Sequence, residues 1–111
     1  MILSTTGTVD GRSIVKVLGL VSGSTVRARN IGKDISALFK NIVGGEVSEY
    51  TALLAQSREE ALERMTSVAV GKGANAIIGM RFMTSMVSQG SAEILVYGTA
   101  VVLGEDDDGG G

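Results

Sequence analysis

Ala92-Glu93-Ile94-Leu95-Val96-Tyr97-Gly98-Thr99-Ala100-Val101-Val102-Leu103 is the stretch that decides the fold. Successive side chains of a strand point to opposite faces. Ile94, Val96, Ala100 and Val102 line one face here, and Leu95, Tyr97, Val101 and Leu103 line the other. Both faces are apolar, the pattern of a strand buried on two sides. Helices can cover one side. The other, left bare, would make an apolar patch larger than soluble monomers usually carry. The stretch therefore predicts a sheet with helices on one face and self-association on the other.

Outward from this strand, Ala76–Met86 reads as its hairpin partner, with a turn around Ser88-Gln89-Gly90-Ser91. Before that lies a helical period. Val47, Tyr50, Leu54, Ala61, Met65 and Val68 fall on one stripe, with Glu59, Glu60, Glu63 and Arg64 facing outward. Ser57-Arg58-Glu59-Glu60 has the pattern of a capping box. Nothing before Ser57 breaks the period, so one helix from about Val47 to Lys72 is expected, ended by Gly71-Lys72-Gly73. A further helix is expected upstream, where Ile35, Leu38, Phe39, Ile42 and Val43 repeat at i, i+3, i+4, i+7 and i+8, stopped by Gly44-Gly45.

The N-terminal part reads as β. Residues 2–6 form a short edge strand ended by Gly7 and an Asp10-Gly11 turn. From Ser13 to Val21, strict alternation puts Val15, Val17, Gly19 and Val21 on one face, and Ile14, Lys16, Leu18 and Leu20 on the other. Ser22-Gly23-Ser24 breaks or bulges the strand before Thr25–Arg29 resumes it. The expected fold is α+β, order β-β-α-α-β-β: an antiparallel sheet with two helices on one face, in a single domain over 1–103. Gly104 to Gly111 is acidic and Gly-rich and reads as a disordered tail.

Composition narrows the chemistry. The 111 residues include no His, Cys, Trp or Pro. Imidazole and thiolate carry most general-base, nucleophilic and soft-metal chemistry, so no catalytic residue, metal site or cofactor motif is read. The net charge is −2; setting aside Glu105–Asp108 leaves eight acidic residues against ten basic, too slight a bias, with four aromatics, for a nucleic-acid surface. Hydrophobic residues make up 44%, yet no run reaches the ~18 apolar residues of a membrane span. Met1–Thr6 lacks a signal-peptide pattern, and a cytoplasmic location is the default expectation.

Several groups invite a sharper reading. Gly19–Ser24 lies inside a strand and lacks a Lys; Gly71–Ala76 follows a helix instead of opening one, so neither is a phosphate loop. Met80, Met83 and Met86 crowd one strand, but Met83 points away from the other two, which favours core packing over Cu⁺ binding. Tyr50 and Arg58, eight residues apart, share a helix face, with Glu59 turned about 100° away. These three form the expected ligand or inter-subunit polar cluster. An Arg at the edge of an apolar stripe needs a carboxylate or carbonyl, and Glu49, Glu59 and Glu93 are candidates. The expected interface comprises the faces bearing Val101 and Leu103, with residues 2–6 and 25–29.

Ser4-Thr5-Thr6, Val17–Gly23, Asn41-Ile42-Val43-Gly44-Gly45-Glu46, Tyr50-Thr51, Arg58-Glu59-Glu60-Ala61, Gly73-Ala74-Asn75-Ala76-Ile77-Ile78-Gly79 and Tyr97–Val101 together resemble the YbjQ-like family of small bacterial and archaeal proteins, labelled "putative heavy-metal-binding". The resemblance runs in register over residues 4–103. It implies a dodecin-like α+β subunit, assembled as a ring-shaped pentamer, with no established activity. The chain departs from the family in carrying Met83 where relatives often have an acid, and it has no Cys or His to hold a soft metal. Two function classes follow: a non-enzymatic, homo-oligomeric scaffold, or a metal- or small-ligand-binding protein with sites between subunits.

Overall fold

The computed structural model describes residues 1–27, 46–88 and 91–105, with the backbone alone at residues 27, 46–53, 86–88 and 91. Among these residues are β1 (Ile2–Leu3), β2 (Ile14–Arg27), α1 (Glu46–Gly71), β3 (Ala76–Ser88) and β4 (Ser91–Leu103). The strands form one sheet in the order β1-β3-β4-β2. β4 is central and antiparallel to both neighbours, as its apolar content requires. β1 runs parallel to β3, so the sheet is mixed and not wholly antiparallel as expected. The chain enters beside β3 and reaches β2, at the other edge, past the sheet face opposite the helix, where Val9 packs. The helix expected around Ile35–Val43 lies outside the described residues.

β2 is one strand through Ser22-Gly23-Ser24, and its irregularities fall earlier, between Ile14 and Lys16 and between Val17 and Gly19. Each bulge adds a residue and turns the following side chain. Ile14, Val17 and Leu20 therefore pair with Leu103, Val101 and Thr99 and share one face, whereas strict alternation had placed Val17 opposite Ile14 and Leu20. Gly23 does not break the strand because its role is close approach. A Cβ there would overlap the Ala61 carbonyl oxygen and stand 2.5 Å from the Met65 backbone nitrogen.

α1 is continuous, as its unbroken period predicted, and packs across β2 and β4. Its buried row is Ser57, Ala61, Met65 and Ala69. Val68, expected in the stripe, is exposed at 46%, and Ser57 takes a place given to no polar residue. The small residues in that row are what let the helix settle against Gly23. Two hydrogen bonds fasten the layers: Thr25 Oγ1 donates to the Ser57 carbonyl at 3.2 Å, and Arg64 Nη1 to the Ser24 carbonyl at 2.6 Å. Arg64 thus crosses to the sheet instead of lying along the outer face of the helix.

The core is split in two. On the helix side Val21, Ala61, Met65, Ala69, Ile77, Ile94, Val96 and Ala100 pack together. On the opposite, outer side Ala76, Ile78, Val101 and Leu103 pack under Ile2 and Val9. The second apolar face of β4 is therefore covered, over its C-terminal half, by the chain's own N-terminal segment. This corrects the expectation that Val101 and Leu103 meet another subunit: both are buried within the chain.

Strands of 13 and 14 residues run about 43–46 Å and a 26-residue helix about 39 Å. The extents are 58 × 27 × 17 Å, and the Cα radius of gyration is 17.8 Å. A compact domain of this length has a radius near 13 Å. Among the described residues Val15, Val17, Leu20, Val26, Val70 and Met83 are more than half exposed.

Candidate functional site

The uncovered surface begins where the N-terminal segment stops. That segment follows the β3 edge as far as Met80: Ser4 N donates to the Ile77 carbonyl, Met80 N to the Ser4 carbonyl and Gly79 N to the Thr6 carbonyl, all within 3.0 Å. Residues 2–6, expected at a subunit interface, are thus engaged inside the chain. Arg81 marks the border. Its Nη1 donates to the Thr5 and Met80 carbonyls, both at 2.8 Å. Beyond it no other described residue packs over the outer sheet face.

Strand register defines this face, because directly paired residues share a side of the sheet. Three rows cross it: Ser22, Tyr97 and Arg81; Ser24, Leu95 and Met83; Val26, Glu93 and Ser85. Leu20, in the row before, is 72% exposed; Val17 is 63% and Met83 54% exposed. Residues 25–29, the other interface expectation, divide. Thr25 is buried toward the helix, Val26 is exposed, and 28 and 29 lie outside the described residues. Strict alternation missed Leu20, Arg81 and Glu93 as neighbours on one face. Gly19 and Gly79, each beside a register shift, were the available signal.

The expected polar cluster is only partly described. Arg58 and Glu59 are both exposed on α1 within the single chain, and Tyr50 lies in the helix with its side chain outside the described residues. Their burial neighbour is Ser57, one position earlier. Met83 points outward while Met80 packs against the helix-side core, which separates these two thioethers; the Met86 side chain lies outside the described residues. Among the described residues no three His, Cys, Asp or Glu side chains converge as metal ligands.

The glycine-rich Gly71–Ala76 stretch has a structural role. Gly73, at φ +88°, ends α1: its N–H donates to the Val70 carbonyl and that of Ala74 to the Ala69 carbonyl, satisfying two terminal acceptors. Asn75 then acts as an extra strand residue. Its Nδ2 donates to the Leu103 carbonyl at 3.0 Å and its Oδ1 accepts from Leu103 N at 2.7 Å. The end of β4 is also held through Gly104, expected in the tail: its N–H donates to the Ser13 carbonyl and its carbonyl accepts from Arg12 Nε. Residues 106–111 lie outside the described residues.

A family model described as "Putative heavy-metal-binding", that of the YbjQ family, matches residues 1–104. A UPF0145 protein of Hahella chejuensis is 57% identical over 103 residues, covering 93% of this chain and 99% of its own. One of Clostridioides difficile is 53% identical over 96% of each chain, and one of Methanosarcina acetivorans 50% identical over 93% and 97%. A solved structure of unknown function, assigned to the DUF74 family of Pediococcus pentosaceus, has a TM-score of 0.57 at 18% identity, covering 94% of this chain and 98% of that one. That likeness is one of fold. Among the described residues no helix is long and apolar enough to cross a membrane. The chain belongs to the YbjQ family, whose curated members here carry the UPF0145 name.

Proposed function

We propose that this protein is a non-enzymatic homo-oligomeric scaffold, a closed ring of five subunits on the family resemblance. The observation that carries the reading is edge strand β2. It is 14 residues long, and Val15 and Val17 on it are 67% and 63% exposed. A long apolar edge invites pairing unless another chain covers it. A head-to-tail ring needs two different patches on each subunit. The β2 edge supplies one, and Val70 on α1, 59% exposed, supplies a second, with Val68, 46% exposed, on the other flank of the helix's buried row. With neither His nor Cys in the chain, a nucleophile–base pair has few residues to draw on.

Light scattering of the whole chain at micromolar concentration tests this, with five copies expected and a monomer overturning it. Val17→Lys and Val70→Lys each place a charge in the contact and raise the midpoint concentration of assembly at least about tenfold. The exposed Arg58–Glu59 pair, with Tyr50 upstream, is the polar part of the proposed contact. Arg58→Ala then weakens assembly, whereas Glu63→Ala leaves it unchanged. The family description favours a second reading, a metal or small ligand held between subunits. A native mass spectrum showing stoichiometric gain of Zn²⁺, Cu⁺, Ca²⁺ or a metabolite promotes that reading.

A further inference from the structure

We propose that two copies of this chain meet through the open outer face of the sheet, across a two-fold axis at Leu95, with each Arg81 pairing with the partner's Glu93. The proposal rests on the self-association reading above and adds a second, different contact. Its basis is the order of the three rows on that face. Leu95 and the 54%-exposed Met83 make the middle row; Tyr97 and the Arg81 guanidinium lie one row to one side, and Glu93 one row to the other. A two-fold axis through Leu95, lying between the sheets and across the strands, exchanges the two flanking rows. It sets Tyr97 over the partner's Glu93 and brings Arg81 one strand away from that carboxylate, about 5 Å to the side and within an Arg's reach. Apolar residues then meet at the centre and opposite charges meet on both sides.

Within one chain these charges cannot serve each other. Arg81 and Ser85, the cross-strand partner of Glu93, are four residues apart, or about 13 Å along the strand. Arg81 Nη1 donates to the Thr5 and Met80 carbonyls at the β3 edge away from β4, which leaves Nε and Nη2, the other side of the planar fork, to meet the partner's carboxylate. The face is self-complementary, which is what a two-fold contact demands. Packed sheets keep their strands within about 30° of each other, so the row order survives the twist.

The patch is small. Three strands about 4.8 Å apart and some seven residues long give a face of about 14 by 23 Å, well short of the ~800 Å² per partner of a standard stable interface. It would therefore join copies already held in rings, where repetition of the contact supplies what its area lacks. A five-membered ring has no two-fold axis in its own plane that exchanges its subunits, so the contact joins two rings and doubles the mass.

The test compares the full chain with Arg81→Glu, Glu93→Arg and the double reversal by light scattering and native mass spectrometry, at one micromolar-range concentration. The wild type should have twice the mass of either single reversal, and the double reversal should regain it. Each single reversal should raise the dissociation constant of the contact at least about tenfold, because like charges are then juxtaposed. Arg81→Glu also loses its bond to the Thr5 carbonyl, so Glu93→Arg, which leaves the N-terminal segment untouched, is the cleaner arm. A ring whose mass is the same in wild type and single reversals overturns the two-fold contact and leaves the ring standing. So does a double reversal that fails to restore the mass. A monomeric wild type overturns both.

Discussion

Gly23→Ala should destabilise the protein by about 3 kcal/mol or more, lowering the melting temperature by over about 10 °C at fixed protein concentration. The added methyl meets backbone on α1, the Ala61 carbonyl oxygen and the Met65 nitrogen, and neither can rotate aside. The helix must lift from the sheet. That would also loosen the Thr25–Ser57 and Arg64–Ser24 bonds that join the layers. Gly71→Ala is the matched control: it lies in the helix, and a Cβ there meets nothing within 4 Å. It should be neutral or stabilising by up to about 1 kcal/mol, since alanine is the better helix former. Thermal melts of the two variants decide the matter. Equal melting temperatures would mean that β2 and α1 are not in backbone contact.

The second large effect separates two phases of the same helix. Met65 is fully buried on the row Ser57–Ala61–Met65–Ala69, and Met65→Ala should cost about 2–5 kcal/mol through lost burial and the cavity left behind. Val68→Ala should change chain stability by less than about 0.5 kcal/mol, because its side chain is nearly half exposed. Urea titration followed by circular dichroism reads both. A Val68→Ala as costly as Met65→Ala would restore the stripe that apolar periodicity assigns, which holds both residues. If Val68 lies in the ring contact, its substitution should show in assembly before it shows in unfolding of the subunit.

The difference between those two residues shows what periodicity can carry. Leu54, Ala61 and Met65 were placed on the packed side of α1 by spacing, and all three pack there. Val68 and Ser57 were misplaced because a hydrophobic count prefers Val to Ser. What decided the row was the close approach at Gly23, which selects small residues and puts the Ser57 carbonyl opposite Thr25. Likewise a glycine inside a strand reads equally well as a break, a bulge or a close contact. At Gly23 it is the contact; at Gly19 a register shift stands beside it.

By itself the sequence determined the α+β class, the continuous helix, the β3–β4 hairpin, the Gly73 helix end and the family. Each follows from local conformational preference or from a pattern within one segment. Only the tertiary structure decided which face of β2 carries Ile14, Val17 and Leu20, because a bulge is invisible to a period-2 reading and reverses it. Only the structure revealed that β1 runs parallel to β3 and that Ile2 and Val9 cover Val101 and Leu103. That cover comes from the far end of the chain, and pairing between segments so distant in sequence leaves no trace in the pattern of either one. The same long-range pairing brings Arg81 onto the face that alternation within β4 gives Glu93 and Leu95.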